Sequence, residues 1–505
     1  MRLGLTTGPN GGRNALSDPQ IASGSNVSSM AILAAIVGVN ALVGYAIAEG
    51  KTAVAIGIAS LPLLVLALEK VILRRPRVLA YAALGLAMFG DRLNGPLPLP
   101  ISTVIYPADI LVSLAIGSWL IGRERGKEVR RLRTPVLGLP FAVFAVAILV
   151  AVIRGHQSYG LAYFSQPVRI LVYAGIATAI ADSTPRQLYR AIVAIFYVGA
   201  AWQAILAVFY LATGRSQTES IDLSTGGTRT LALSTAMLLA CSLVLALLNL
   251  DLDWKAGRRA VHLCVAALAT FGIVVSLGRT TFAAVAALVP LLLITLRHAR
   301  RAILSFVPLL LPALVLVAIL VPRAAPNLVP TLTARLTGKL KNDSALVTRQ
   351  RKYGAALEGY GKDPVLGPGF GRPYTYLDLD RSLKTISGDP ENSYVYLLAG
   401  GGLFALGSWI LLSLAFVWNA FRRLRFAAGT DRVLVLWSLG AWFVLSVNEF
   451  TGPILSVPSL LLPLWIAILL PAVVRPDPDV SIPAAAAAGP ARTARFARVA
   501  QESRW

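Results

Sequence analysis

The chain has 505 residues, of which 56% are hydrophobic and only 14% are charged. Soluble globular domains carry about a quarter of charged residues, so this composition indicates a polytopic membrane protein. The formal charge of +23 does not indicate nucleic-acid binding, because the basic residues are dispersed among short links between apolar runs. Such links orient membrane spans and contact anionic lipid.

Apolar runs recur from residue 30 onwards, and we predict an all-α fold with about 12–14 transmembrane helices. Residues 1–29 are rich in Gly, Ser and Asn and are expected to form a flexible cytoplasmic tail. A transmembrane bundle is predicted for 30–322 and two further segments follow, an external loop and the C-terminal helices. The predicted spans are 30–48, 52–68, 78–90, 103–121, 135–153, 167–181, 191–211, 230–250, 261–277, 280–296, 302–322, 394–418, 433–450 and 457–474.

The positive-inside rule orients these spans. If the N-terminus is cytoplasmic, the most basic short links fall on the cytoplasmic side, namely 69–77, 123–133, 251–259, 297–301 and 422–432. The parity of the spans then places both termini in the cytoplasm. It places the long polar interval 323–393 outside.

Several ionisable residues are predicted at or near the outer membrane surface, where charge is costly and is usually functional. Asp109 has a simpler explanation as a carboxylate that caps a helix end. Arg279 is either an anchor that reaches lipid headgroups or a substrate-binding group. Arg169 and Arg229 each begin a span on the same side. Arginines that face one cavity would form an anion site, since the guanidinium binds phosphate through two donors.

The interval 323–393 is the only long polar one between spans, and such loops are commonly functional. Apolar residues at three- and four-residue steps from Leu346 to Tyr360 predict an amphipathic helix that ends at the glycines that follow. Residues 367–371 (GPGFG) predict a turn that permits close backbone approach. Residues 394–474 are expected to form C-terminal transmembrane helices, and the Ala/Pro/Arg-rich segment 475–505 a disordered cytoplasmic tail.

Three elements of this loop, taken in order, resemble the O-antigen ligase and O-antigen polymerase family of membrane glycosyltransferases. They are Arg349 followed by YGAAL at 353–357, the segment KDPVLGPGFG at 362–371, and ENSYVYLLAGGGL at 391–403. The segment VVSLGRTTF at 274–282 resembles the family's arginine element before a long apolar run. The resemblance covers roughly residues 270–420, and upstream of these only the topology is similar.

The resemblance implies metal-independent, inverting transfer of a glycan from a polyprenyl-diphosphate carrier to an acceptor hydroxyl, outside a bacterial cytoplasmic (inner) membrane. The expected partners are the lipid-linked glycan donor, a glycan or glycolipid acceptor and the bilayer, with no cofactor, metal or nucleic acid. Arg279 and Arg349 match arginines that hold the diphosphate in the family, and Arg169 matches by topology alone. Asn392 and Tyr394 match residues of the family's loop motif and are expected, with Arg229, to contact substrate.

Glu391 stands where the family has its histidine base. A glutamate can accept a proton, although its reference pKa is low and nearby arginines would lower it further. Three interpretations remain open: Glu391 or the neighbouring Asp389 is the base, Glu391 caps the next helix, or the activity is lost. Two other functions also remain open, a lipid-linked saccharide flippase and a glycosyltransferase that uses prenyl-monophosphate sugars. The flippase would be expected to show internal repeats, and the other transferase an acidic first external loop.

Overall fold

A computed structural model describes thirteen α-helices and two short hairpins within the residue ranges given below. The predicted spans at 30–48 and 52–68, almost all of 302–322 and both predicted tails lie outside the described residues. The described ranges are 76–89, 105–124, 135–160, 165–180, 183–213, 221–222, 227–228, 231–252, 256–276, 278–296, 298–301, 303–304, 344–378, 383–452 and 454–473.

The helices lie where the apolar runs predict them, and the all-α polytopic fold is confirmed for the described part of the chain. Six of the helices are long and apolar enough to cross a membrane, with spans at Gly138–Tyr159, Pro185–Tyr210, Leu233–Leu252, Gly257–Ser276, Ser393–Leu424 and Gly429–Glu449. The helices are α1 (Pro76–Phe89), α2 (Pro107–Glu124), α3 (Pro135–Tyr159), α4 (Ser165–Ala174), α5 (Ile176–Ile180), α6 (Pro185–Thr213), α7 (Leu233–Leu252), α8 (Ala256–Ser276), α9 (Arg279–Thr295), α10 (Ser344–Leu357), α11 (Ser393–Leu424), α12 (Gly429–Glu449) and α13 (Pro458–Val473).

The span predicted at 167–181 is not one helix, and this prediction was wrong. The chain forms α4 and the very short α5, which are separated at Gly175. The Gly175 N–H donates to the Val172 carbonyl at 3.0 Å. This bond joins residues three apart and closes a tighter turn than the four-residue spacing of an α-helix. Gly175 also packs closely on α2, because a Cβ there would lie 2.7 Å from Cδ1 of Ile116. A glycine at this position therefore allows both the break and the close contact.

Two groups of large aromatic side chains fill the core. In the first, Trp437 of α12 packs against α7, and its Nε1 donates to the Cys241 carbonyl at 3.1 Å. Helix α7 itself is buried along nearly its whole length. In the other, Phe144 of α3, Trp409 of α11 and Trp465 of α13 are fully buried against one another, with centroids 5.2–6.1 Å apart. Edge-to-face contacts, like offset stacks, are favoured over a face-to-face sandwich of two rings. The second group fixes α11 against α3, and α11 carries the site described below.

The segment 344–392, which precedes α11, contains a helix, a turn and a β-hairpin. The predicted amphipathic helix is confirmed as α10, and a short 3-10 helix follows at Tyr360–Lys362. The hairpin pairs β3 (Tyr374–Asp378) with β4 (Leu383–Ser387) in antiparallel register, with Tyr374 opposite Ser387. The motif-based interpretation missed this hairpin, although the β-favouring residues of β3 are a usable signal. A second, two-residue pairing joins Ile221–Asp222 to Gly227–Thr228.

Helix α11 is interrupted at Gly402, whose φ of 65° and ψ of −164° are not helical. This conformation is almost restricted to glycine. The interruption frees backbone donors, and the turn that follows α10 accepts them. The N–H of Leu403 donates to the Pro364 carbonyl, and the N–H of Phe404 to the Val365 carbonyl, each at 2.9 Å. The segment that follows α10 is thus hydrogen-bonded to the first third of α11.

The glycine turn at 367–371 packs directly on α3 and α11, which confirms the predicted close backbone approach. A Cβ on Gly369, whose φ is 97°, would lie 2.2 Å from the Gly155 nitrogen of α3. The Gly369 N–H donates to the Gly400 carbonyl at 2.9 Å, and the Phe370 N–H to the Ala151 carbonyl at 3.1 Å. An ion pair between Arg154 of α3 and Asp363 strengthens the same attachment.

Candidate active site

The N-terminus of α11 is held by Asn392, which is the N-cap of the helix. Its side-chain Oδ1 accepts from the Val395 N–H at 3.0 Å, and its Nδ2 donates to the Phe450 carbonyl after α12 at 2.8 Å. N-caps of this kind stabilise a helix by about 1 kcal/mol. Asn392 therefore positions the loop that precedes α11, and its amide makes these contacts within the protein.

Glu391 lies immediately before this cap and adopts a left-handed backbone conformation, with φ of 57°. Such a conformation costs a non-glycine residue roughly 1–2 kcal/mol. Part of the compensation comes from Asp389, whose Oδ1 accepts from the Glu391 N–H at 2.8 Å. The Glu391 side chain is 45% exposed. Because Asn392 caps α11, the interpretation of Glu391 as the helix cap was wrong.

Two cations of α10 contact the Glu391 carboxylate. The Lys352 Nζ donates to Oε1 at 2.8 Å, and the Arg349 Nε lies 3.8 Å from Oε2. The Lys352 side chain is only 6% exposed, and its Nζ lies 5.5 Å from the centroid of the Tyr376 ring of β3. The site prediction included Arg349 but missed Lys352. The signal was present, because residues three apart share one face of a helix.

A second carboxylate, that of Asp389, lies on the same loop. The Ser456 hydroxyl, just before α13, donates to its Oδ2. Burial raises the pKa of Asp389 above its ordinary value, against the hydrogen bonds from Ser456 and Glu391 N–H and the charge of Lys352, which lower it. Asp389 thus connects the loop to α13 and supports the backbone of Glu391.

Arg169 is buried in an ion pair with Asp109. Its Nε lies 2.7 Å from Oδ1 and its Nη2 3.0 Å from Oδ2, and its guanidinium lies 4.8 Å from the centroid of the Tyr106 ring. Asp109 also accepts from the Tyr106 N–H at 2.8 Å, which confirms its interpretation as a capping carboxylate.

Arg279 begins α9 and is exposed. The next residue, Thr280, accepts from the Thr451 hydroxyl at 2.8 Å, beside the Phe450 carbonyl that holds the N-cap of α11. Arg279 is therefore at the Glu391 end of the bundle. A positive charge at a helix N-terminus opposes the helix dipole, so stability of α9 does not explain it.

The remaining predicted substrate contacts are placed differently. Tyr394 packs between α11 and α12, with its ring 4.6 Å from that of Phe450 and its hydroxyl 3.3 Å from the Ser446 carbonyl. Arg229 lies outside the described residues. Among the described residues, no group of three His, Cys, Asp or Glu side chains is placed to hold a metal ion.

One end of the bundle therefore assembles a half-exposed carboxylate, two cations that contact it and a further exposed arginine. Such a set can accept a proton from a hydroxyl while neutralising an anionic leaving group. Residues 264–410 match the family model described as O-antigen ligase, and this segment includes Arg279, Arg349, Lys352 and Glu391. No curated protein matches the chain. The match confirms the resemblance inferred from the sequence motifs, and over residues 264–410 the chain is O-antigen ligase-like.

Proposed function

We propose that the protein is a membrane glycosyltransferase that moves a glycan from a polyprenyl-diphosphate carrier to an acceptor hydroxyl, on the outer side of the cytoplasmic membrane. The family match supports a glycosyltransferase of the O-antigen ligase or polymerase type. The observation that carries the more specific proposal is the contact of Glu391 with Lys352 and Arg349. This contact places a proton acceptor next to the positive charge that a departing diphosphate requires.

Glu391 acts as the general base in this proposal. Its carboxylate is accessible, and the left-handed backbone with the Asp389 hydrogen bond fixes its position. The buried Lys352 orients the carboxylate through Oε1. Glu391 takes the proton of the acceptor hydroxyl as the oxygen attacks the anomeric carbon from the face opposite the diphosphate. The bond to the diphosphate oxygen breaks, and the configuration at that carbon inverts.

Arg349 and Arg279 neutralise the diphosphate in this proposal. The Arg349 side chain is 28% exposed, and its 3.8 Å separation from Glu391 is beyond a normal hydrogen bond, so a phosphate can compete for it. Arginine donors stabilise charge that develops on a leaving group, as a bound metal would. Arg169 is the weakest of the three candidates, because Asp109 offsets its charge at 2.7 Å.

The test is glycosyl transfer by the purified protein in lipid nanodiscs, with a polyprenyl-diphosphate glycan as donor. Replacement of the base by Glu391→Gln is expected to lower kcat by about 10²–10⁴-fold. Glu358→Gln, at the exposed end of α10, is the matched control and is expected to leave kcat within twofold. Arg279→Gln and Arg349→Gln are expected to raise KM for the donor.

An unchanged kcat in Glu391→Gln, together with an unchanged KM for the donor in Arg279→Gln, would contradict the site. Movement of the intact lipid-linked glycan across a vesicle membrane, with no new glycosidic bond, would identify a transporter instead. Wild-type protein measured in both assays separates these outcomes.

A further inference from the structure

The exposed apolar face of α11 begins at Leu403, immediately after the break at Gly402. Within 393–402 every residue is buried or half-buried. From Leu403 onwards, large apolar side chains are exposed along one face of the helix, and the opposite face is buried. The exposed side chains are those of Leu403, Ile410, Leu411, Leu414, Trp418 and Phe421. Because α11 is long and apolar enough to cross a membrane, this face is in contact with lipid.

The length of this face matches the thickness of a bilayer. At about 1.5 Å per residue, the stretch 403–421 extends about 28 Å along the helix axis. The hydrocarbon core of a bilayer is about 30 Å thick. The exposed Arg422 follows at one end of the stretch, and arginine is typical of the membrane boundary. The other boundary, which is the one nearer to Glu391 along the chain, therefore lies at Leu403.

The turn that follows α10 lies at this boundary. The carbonyls of Pro364 and Val365 accept from the N–H groups of Leu403 and Phe404, each at 2.9 Å. The side chain of Val365 is 59% exposed, and that of Leu403 is 53% exposed. The apolar surface of Val365 thus adjoins the lipid-facing surface of α11. Lys362, at the end of the 3-10 helix before this turn, is also exposed.

The backbone of the turn suits an apolar environment. In a bilayer, backbone polar groups need partners within the protein. Pro364 has no N–H, and its carbonyl and that of Val365 are both bonded to α11. The Leu366 N–H donates to Oδ1 of Asp363 at 3.2 Å, and the Gly367 N–H donates to the Asp363 carbonyl at 2.9 Å. The turn can therefore enter the membrane boundary with these groups still hydrogen-bonded.

We propose that the turn 362–365 is a membrane anchor that rests on a phospholipid bilayer. Val365 enters the edge of the hydrocarbon core beside Leu403, and the ammonium group of Lys362 lies at the level of the lipid phosphates. A long lysine side chain that leads from an apolar surface to charged headgroups is typical of this boundary. The bilayer is the occupant, because the surface of Val365 adjoins a helix face of bilayer length. The proposal does not depend on the reaction proposed above.

The test is the membrane depth of a nitroxide spin label in the full-length protein, in nanodiscs of phosphatidylglycerol. The label is attached through Val365→Cys in a Cys264→Ser background, since Cys264 is exposed and Cys241 is buried. Paramagnetic resonance then compares accessibility to oxygen, which concentrates in lipid, with accessibility to a water-soluble nickel chelate. The ratio of the two is expected to be at least about threefold higher for Val365→Cys than for Glu358→Cys, at the exposed end of α10.

Two further labels give the depth scale. Leu414→Cys, within the exposed face of α11, is expected to show the highest ratio. Lys362→Cys is expected to lie between Val365→Cys and Glu358→Cys, because its level is that of the headgroups. If Val365→Cys does not fold, Pro364→Cys, at the neighbouring exposed position, takes its place and is judged by the same comparison.

Two results would overturn the proposal. A ratio for Val365→Cys equal to that for Glu358→Cys would place the turn in water. Low accessibility to both reagents would show that protein covers the surface, as in an assembly of two copies of the chain. The labels report depth and not turnover, so failure of the proposed glycosyl transfer would leave this result unchanged.

Discussion

Substitution of Gly402 by alanine tests whether attachment of the turn at 363–370 to α11 sustains the site. The backbone at Gly402 has φ of 65° and ψ of −164°, which costs a side-chain-bearing residue about 1–3 kcal/mol. The new Cβ would also lie 2.4 Å from the Val365 oxygen and 2.6 Å from the Gly367 nitrogen. Both are backbone atoms, so no side-chain rotation relieves the contact.

The turn must therefore move, and its two hydrogen bonds to Leu403 and Phe404 would be lost. At about 1 kcal/mol for each bond, the total destabilisation by Gly402→Ala is about 3–5 kcal/mol. The measurement is unfolding of the purified protein by sodium dodecyl sulfate in bicelles, together with the rate at which a protease cleaves 344–393. Cleavage should become faster, and glycosyl transfer should fall with it.

Gly407 provides the matched control, because it lies in the same helix and a Cβ there would meet nothing within 4 Å. Gly407→Ala is expected to be neutral or to stabilise the protein by up to about 1 kcal/mol. Stability of Gly402→Ala within about 0.5 kcal/mol of Gly407→Ala, with unchanged cleavage, would refute the reasoning.

Three further predictions concern carboxylates. Asp109→Asn is expected to lower the free energy of unfolding by about 3 kcal/mol in the same assay, because it removes the negative charge that pairs with the buried Arg169. The double variant Asp109→Asn/Arg169→Gln should recover part of this loss. Burial raises the pKa of Asp389, so the native state keeps a proton that the unfolded chain releases. Stability should then fall as pH rises above about 3.9 toward the raised pKa, and Asp389→Asn should remove this slope. A backbone hydrogen bond from Leu366 and a neighbouring arginine lower the pKa of Asp363. Ionised Asp363 should stabilise the folded protein above about pH 3.9, and this contribution should be lost as pH falls through the lowered native pKa. Stability therefore rises with pH in this window, opposite to the effect of Asp389, and Asp363→Asn should remove that rise. Equal pH profiles for wild type and either variant would contradict the assignment.

The sequence predicts the described helices well, because the length of an apolar run and the spacing of its residues are local properties. Helix α10 and the glycine turn follow from the same kind of signal. The break in α11 is different. Gly400, Gly401 and Gly402 are visible in the sequence, but the backbone bonds to Pro364 and Val365 depend on a segment that arrives from outside the helix.

The candidate site shows the same limit. Motif order identified Glu391 and Arg349, and the structure brings them within 3.8 Å. The sequence places Lys352 three residues after Arg349, but its burial depends on β3, whose Tyr376 ring lies 5.5 Å from Nζ. Arg169 was expected to bind an anion, and the structure shows its side chain only 4% exposed and paired with Asp109. Such pairings join residues 60 positions apart, and no local pattern specifies them.

The docked turn has a mechanical consequence for the segment 344–392. Four backbone hydrogen bonds and one ion pair attach 363–370 to α3 and α11. The hairpin that follows is tied again at its far end, since Asp389 accepts from the Ser456 hydroxyl just before α13, and α10 contacts the hairpin through Lys352 and the Tyr376 ring. The segment is therefore attached to the helix bundle on both sides of the site, so Arg349 and Glu391 move together with α3 and α11.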